Sequence, residues 1–425
     1  MAETFVMNKT ASTPDAQAVA ELQGIYGLFL FPEKLLQKIW AKREFSEADL
    51  KTVDGRPVTV IHPGKWNGLG GPDFLGAHLK IGGRELAGDV EVHLREADWA
   101  VHRHAEDPAY DNVVLHVVLF EPAVACSVGA AGKRIPVVTL LPLLHYGLEE
   151  YAADDAVEKL ANRPLDHARE KLGVFDAVAL GALLKRHSDE RWTQKAGFAR
   201  ERIRLLGWEA ACHHAALEIL GYRFNRAPML SVATEFPLGM WVGGQVDPEQ
   251  IFETRRMQWS LQGVRPLNHP RLRLRQYAVW VAARPDWPER LKNLAGALKA
   301  AADKVAGAEE TSCLVGEGIS VRAVRKAAQM KILRGQLLDG LCGGEVGGSR
   351  FENLVCDGFL PLLAAEANTV LRPLWYHWFA GDAPADRVRM LRGLGVFDGA
   401  LQPAAHGPIQ GLLGWMLAQE RPIAS

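Results

Sequence analysis

The sequence predicts a mixed α/β domain followed by a larger, mostly α-helical one. Three observations carry that expectation. Residues 33–122 hold one amphipathic helical stretch and then several short runs that alternate apolar and polar residues. Beyond about residue 150 strand signals thin out, and Ala-, Leu- and Arg-rich helical stretches recur between Gly and Pro breaks. The length, 425 residues, exceeds the roughly 150 residues of one ordinary domain.

Taken in order, residues 1–20 are small and polar and read as a flexible tail. EKLLQKIWAKREF (33–45) puts Leu35, Leu36, Ile39 and Trp40 on one helical stripe and Lys34, Lys38 and Lys42 on another. PVTVIHPG (57–64) is a short β-rich run closed by a Pro-Gly break. FLGAHLKIGG (74–83) alternates and ends in the Gly-Gly of a hairpin, and ELAGDVEVHLRE (85–96) alternates again. In that run Val90, Val92 and Leu94 face one side, with Asp89, Glu91 and His93 on the other. ADWAVHRHAED (97–107) reads as a short helix or turn, and YDNVVLHVVLFEP (110–122) as a strong strand. The expected division is therefore a tail (1–20), an α/β domain (21–148) and a helical domain (149–425) that is subdivided near residue 310. GLCGGEVGGSRFEN (340–353) reads as a flexible link within the helical part.

Composition narrows the function classes. Hydrophobic residues make up 48% and charged residues 23%, which excludes a disordered or fibrous chain. Lys plus Arg (49) balance Asp plus Glu (50), so no chain-wide basic footprint for nucleic acid exists, and such binding would have to be local. Five scattered cysteines with no CxxC pair fit reduced thiols better than a disulfide framework or a zinc ribbon. No apolar run reaches the roughly 18 residues of a membrane span, and the N-terminus lacks the basic and apolar regions of a signal peptide. The expectation is a soluble, cytoplasmic protein. Walker A, GxSxG and HExxH motifs are missing from the sequence.

The chemistry concentrates in HPGKWNGLGGPDFLGAHLKIGGRELAGDVEVHLREADW (62–99). Asp73 stands at the mouth of one proposed strand and Glu91 within the next, joined by the Gly82-Gly83 hairpin. Residues opposite one another in an antiparallel pair lie about 4.5–5.5 Å apart, so both carboxylates can serve one point. Two hard oxygen ligands suit Mg²⁺ or Mn²⁺, and His93, two residues after Glu91, shares its face and can orient an attacking water. His62, His102, His104 and His116 crowd the same domain. His116, inside an apolar strand, reads as a buried, hydrogen-bonded histidine, and Asp98 before Trp99 as a helix cap or a site-lining group. Lys65 and Lys80 are the nearest cationic candidates, and Glu44 and Glu47 the acids next to the first helix. The competing structural roles are a turn cap for Asp73 and a solvated sheet face for Glu91.

The D…ExH arrangement and the helix–strand–strand–strand–helix–strand order resemble the PD-(D/E)XK nuclease superfamily, with its αβββαβ, restriction-endonuclease-like core. That resemblance implies Asp73, Glu91 and the backbone carbonyl of Val92 as metal ligands, with His93 where the superfamily has lysine. The string from His62 to His116 is also similar to a bacterial family known as a domain of unknown function. Its members share HPG (here 62–64), GPDF (71–74), a GxVEIH-like strand (GDVEVH, 88–93), DW (98–99), later histidines and NVVLHVV (112–118). RPLNHPRLRL (265–274) and QGLL (410–413) resemble later landmarks of that family.

Residues 20–125 hold eleven Lys and Arg against sixteen Asp and Glu, so an anionic strand would need charge from elsewhere. RERIR (200–204) and the series Arg255, Arg256, Arg265, Arg271, Arg273 and Arg275, interleaved with Trp259 and Tyr277, are the candidates for phosphate contact. Arg271 and Arg275, four apart, equally describe one solvated helical face. The leading expectation is a divalent-metal-dependent nuclease acting on DNA or RNA, with Asp73, Glu91 and His93 at its centre. The alternatives are a non-cleaving nucleic-acid-binding or assembly protein, and a His/carboxylate metalloenzyme for a small substrate.

Overall fold

The computed structural model describes residues 18–161, 163–314, 320–397 and 403–420. The chain divides into two compact units, residues 1–155 and 156–425. The first is a mixed α/β unit and the second is mostly helical.

In the first unit β1 (Val19–Gly24) and β2 (Gly27–Pro32) form an antiparallel hairpin and lead into α1 (Glu33–Lys42). Leu35, Leu36, Ile39 and Trp40, spaced as one helical stripe, are the residues that α1 buries. Arg43 ends it in the left-handed region at φ 57° and returns its N–H to the last carbonyls. Then follow β3 (Val58–His62), β4 (Lys65–Trp66), β5 (Phe74–Ile81), β6 (Arg84–His93), the one-turn α2 (Asp98–Val101), β7 (Val113–Val118), β8 (Cys126–Val128) and β9 (Arg134–Thr139). The larger sheet runs β3-β5-β6-β7-β9-β8, with β4 pairing β5. β3, β5 and β6 are an antiparallel meander, whereas β6, β7 and β9 run parallel. Gly82 (φ 57°) and Gly83 (φ 86°) turn the β5–β6 hairpin, and two successive positive φ values are what a two-residue turn of this hand requires.

The helix and the strands read between residues 33 and 122 stand where the residue pattern puts them. The β1–β2 hairpin, β4 and the β8–β9 pair are additions. Val19 and Ala20, expected in the tail, are in β1, and residues 1–17 lie outside the described residues. Phe31, Trp40, Phe45, Val60, Leu79, Val90, Val92, Leu115 and Val117 share one apolar core. On the opposite face of β6, Asp89, Glu91 and His93 are buried too, which corrects the solvated-face role considered for Glu91. A strand buried on both faces normally carries apolar residues on both, so three polar ones in a row of alternate positions need a specific reason.

The sheet also explains Gly88. A Cβ there would lie 2.4 Å from Val114 Cγ1 and 2.6 Å from the Asn112 carbonyl oxygen. Gly88→Ala is therefore expected to spread β6 from β7 and to destabilise the first unit by about 2 kcal/mol. Thermal unfolding of the variant measures it, and an unchanged midpoint contradicts the packing described.

α3 (Leu148–Leu160) contains the division between units at 155/156, where the sequence pattern put it at 148/149. In the second unit α4 (Asp166–Leu172), α5 (Ala177–Leu206) and α6 (Trp208–Leu220) precede further helices that extend to Glu420. Residue 310 lies inside the helix Ala295–Leu314. The expected flexible link at 340–353 is instead a left-handed glycine turn at Gly343 and Gly344 between two helices, anchored by the fully buried Val346. QGLL has a packing role: a Cβ on Gly411 would lie 2.2 Å from the Leu184 carbonyl oxygen, so glycine lets the helix His406–Glu420 close on α5. RPLNHP has one as well, since His269 caps the helix Pro270–Ala283 and Asn268 accepts from the buried Arg273. Cys126, Cys212, Cys342 and Cys356 are free thiols, and the side chain of Cys313 lies outside the described residues. No helix among the described residues is long and apolar enough to cross a membrane.

Candidate metal centre

β5 and β6 bring Asp73 and Glu91 together as the hairpin register requires. Phe74 is opposite Val90, so Asp73 falls beside Glu91. The Asp73 N–H donates to Glu91 Oε2 at 3.0 Å. Asp73 Oδ1 accepts from Gln37 Nε2 of α1 at 2.7 Å, and Oδ2 accepts from the Val92 N–H at 3.0 Å. Gln37 is held in turn by Trp66 Nε1, which donates to its amide oxygen. Asp73 thereby ties α1, β5 and β6 together. Val92 meets the group through this N–H donation.

A third carboxyl, which the sequence reading missed, is Glu33 at the start of α1. Its Oε2 is buried and has no hydrogen-bond partner among the described residues. Burial first, then the charges of Asp73, Glu91 and Asp98, push its pKa up to about 8. Burial and the neighbouring Glu91 likewise raise Asp73, and burial raises Glu91. Three carboxyls thus share one region, and among the described residues no lysine or arginine pairs with them. Glu44 and Glu47 do not supply this acid, since Glu47 pairs with Arg43, and Lys42 lies against Glu44. The only sequence signal for Glu33 was its place at the first turn of an amphipathic helix, just after Pro32.

The other flank of Glu91 is built of imidazoles. Glu91 Oε1 stands 3.4 Å from His93 Nε2 and 3.4 Å from His104 Nε2. His93 Nε2 is also 3.1 Å from His102 Nδ1 and 3.3 Å from His104 Nε2. The three rings offer nitrogens that all lie within 4.8 Å of one another. His93 Nδ1 meets His116 Nε2 at 2.9 Å, and His116 Nδ1 meets Ser127 Oγ at 2.8 Å. Ser127 Oγ donates to Glu96 Oε1 at 3.2 Å. Trp99 packs on His104 and His116, and Tyr110 stacks on His104 with ring centroids 3.8 Å apart.

Burial lowers all four histidines: His116 to about 3, His104 to about 4, and His93 and His102 below the ordinary imidazole value. They are neutral at pH 7, with nitrogen lone pairs available. His93 is only 1% exposed, whereas His102 is on the surface. Solvent reaches the group at His102 and, in part, at Glu33 and Asp73. His93 is enclosed by His102, His104 and His116.

Of the other residues singled out from the sequence, Asp98 is near enough for its charge to act on Glu33 and His102, and the rest stand apart from this group. His62 is exposed at the end of β3, and its Nδ1 accepts from the Gly64 N–H. Lys65 is exposed on β4. Lys80 is exposed and seven residues along β5 from Asp73, about 20 Å at the rise of a strand, so it cannot replace the superfamily lysine. Asp98 accepts from the Arg95 N–H at 3.0 Å, a turn-closing role at the start of α2. In the second unit Arg271 and Arg275 share Glu249, Arg255 pairs with Glu235, and Arg256 lies 3.7 Å from Glu253. Arg202 pairs with Glu218, Arg204 with Glu201, and Arg273 is buried against Asn268 and Gln276, while Arg265 is exposed. Intramolecular carboxylates thus neutralise most of the series expected to meet phosphates.

A family model described as "Protein of unknown function (DUF2851)" matches residues 33–252, just over half of the chain, and the protein belongs to that family. The matched range takes in every residue of the Glu33–Asp73–Glu91 group and of the histidine cluster. No curated protein and no solved structure matches the chain.

Proposed function

We propose that this member of the family is a divalent-metal-dependent phosphodiesterase acting on DNA or RNA, with its centre at Glu33, Asp73 and Glu91. The observation that carries the reading is the convergence of three carboxyls from α1, β5 and β6, one of them with an unpartnered buried oxygen. Carboxyls held together and partly out of water repel each other and lose solvation, which raises their pKa, and a bound cation would offset both costs. The order of the sheet, an antiparallel β3–β5–β6 meander continued by parallel β7, supports a restriction-endonuclease-like core.

Glu91 Oε2 and the unpartnered oxygen of Glu33 would be hard ligands of the kind Mg²⁺ or Mn²⁺ takes, with Asp73 beside Glu91. When bound, such an ion lowers the pKa of water and offsets charge on a phosphoryl oxygen. The residues of the chain do the positioning. Asp73, gripped by Gln37 and the Val92 N–H, fixes the strand positions of Glu91 and His93. The exposed His102 marks the side from which substrate approaches. Paired arginines leave little free positive charge in that series, so binding of a strand is expected to be weak, with a shallow salt dependence.

The test is cleavage of single- and double-stranded DNA and of RNA by the purified protein, with Mg²⁺ and Mn²⁺ supplied separately. Metal-dependent cleavage that is lost in Asp73→Ala is the expected result. Absence of cleavage under every condition overturns the reading, and salt-sensitive binding that survives Glu91→Ala would point to the non-cleaving alternative.

A further inference from the structure

We propose that Glu91, His93, His102 and His104 form a second, nitrogen-rich site for a borderline transition ion of the Zn²⁺ class, which shares Glu91 with the carboxylate centre. It rests on the same cleft as the reading above and not on the reaction assigned there.

The distances carry it. A tetrahedral ion with ligand bonds of about 2.0–2.1 Å holds its ligand atoms about 3.3 Å apart. Four separations within this group are 3.1, 3.3, 3.4 and 3.4 Å, with His93 Nε2 common to three of them and Glu91 Oε1 to two. Three imidazoles and one carboxylate suit a borderline ion better than Mg²⁺, which prefers oxygen.

Proton counting fixes the direction of the central ligand. Ser127 has one hydroxyl hydrogen, and it is donated to Glu96 Oε1. Ser127 Oγ must then accept from His116 Nδ1–H. With its hydrogen on Nδ1, neutral His116 presents a lone pair at Nε2, which accepts from His93 Nδ1–H. His93 Nε2 is left bare, and it points at His102, His104 and Glu91. The chain Glu96–Ser127–His116, buried at Ser127 and His116, is the outer support that sets a ligating histidine in one tautomer. Trp99 and Tyr110 hold the rings of His104 and His116 from behind. The exposed edge of His102 leaves an entry path.

Titration of the full chain with Co²⁺, followed in the visible spectrum and by equilibrium dialysis, tests this without any substrate. One Co²⁺ per chain is expected, with the intense visible bands of a low-coordinate nitrogen site, and Zn²⁺ is expected to displace it. His102→Ala, a surface change, should weaken binding at least 10-fold, as should His104→Ala. Ser127→Ala should weaken it about 10–100-fold with the melting temperature little changed. Nitrogen-15 NMR of the histidine rings in the metal-free protein should find His93 and His116 both protonated at Nδ1. Co²⁺ binding that is indifferent to His102→Ala and His104→Ala, or a His93 protonated at Nε2, overturns the site. Metal-dependent cleavage could still stand in that case, just as binding without cleavage would leave the site and remove the proposed reaction.

Discussion

Glu91→Gln is expected to lower the metal-dependent cleavage rate by about 10³-fold, which corresponds to roughly 4 kcal/mol of lost stabilisation in the transition state. The size follows from position. Glu91 reaches both flanks of the cleft, with Oε2 taking the Asp73 N–H and Oε1 facing His93 and His104. Glutamine keeps the volume and one acceptor but removes the charge, so folding is expected to survive, and the metal-free protein should melt no lower than wild type. The amide also relieves repulsion in a group where burial and neighbouring acids raise the carboxyls. Rates measured at saturating Mn²⁺ check the prediction, and a loss below 10-fold would remove Glu91 from the machinery.

Glu218→Gln carries the largest expected effect on stability. Glu218 lies in α6 of the second unit, buried between Arg202 and Arg226, with Arg202 Nη1 at 2.6 Å. Burial alone would raise its carboxyl, but the two guanidiniums outweigh that cost and hold the pKa at about 2. Against an unfolded value near 4.5, the difference is worth about 3 kcal/mol. Because the folded value is depressed, this stability is fully present above about pH 4.5 and fades as pH falls toward 2. The variant strands two buried or half-buried arginines and is expected to melt roughly 6–12 °C lower at pH 7. It should also lose the part of the acid dependence that belongs to this group. Calorimetry at pH 7 and pH 3 measures both, and a variant whose deficit is the same at the two values contradicts the assignment.

Much of the first unit was legible because its signals are local. The stripe Leu35, Leu36, Ile39 and Trp40 marks α1, alternation marks β5 and β6, and Gly82-Gly83 marks their turn. The Asp73–Glu91 juxtaposition followed from that hairpin alone. What stayed hidden depends on contacts between distant segments. Glu33 joins the acids only because α1 packs across the sheet, and nothing in its neighbours distinguishes it from a helix-starting acid. Ser127 and Glu96 join the histidines only once β8 and the end of β6 are placed, and the three residues of β8 are too short to announce a strand. His102 and His104, two apart, would diverge on a regular helix. They converge because Arg103 adopts the left-handed conformation at φ 59° and breaks the helix between them. The arginine series misled for the opposite reason: its sequence spacing carries no sign of Glu235, Glu249 and Glu253, which neutralise it in the folded chain.

Anomalous diffraction from crystals soaked in Mn²⁺ is the most direct measurement. A peak at the absorption edge, bonded to a Glu91 oxygen at about 2.1–2.3 Å and lost in Glu91→Ala crystals, is the predicted result. A map with no density above noise between Glu33, Asp73, Glu91 and the imidazoles, at millimolar Mn²⁺ and neutral pH, would mean that these buried acids serve the fold and hold no ion.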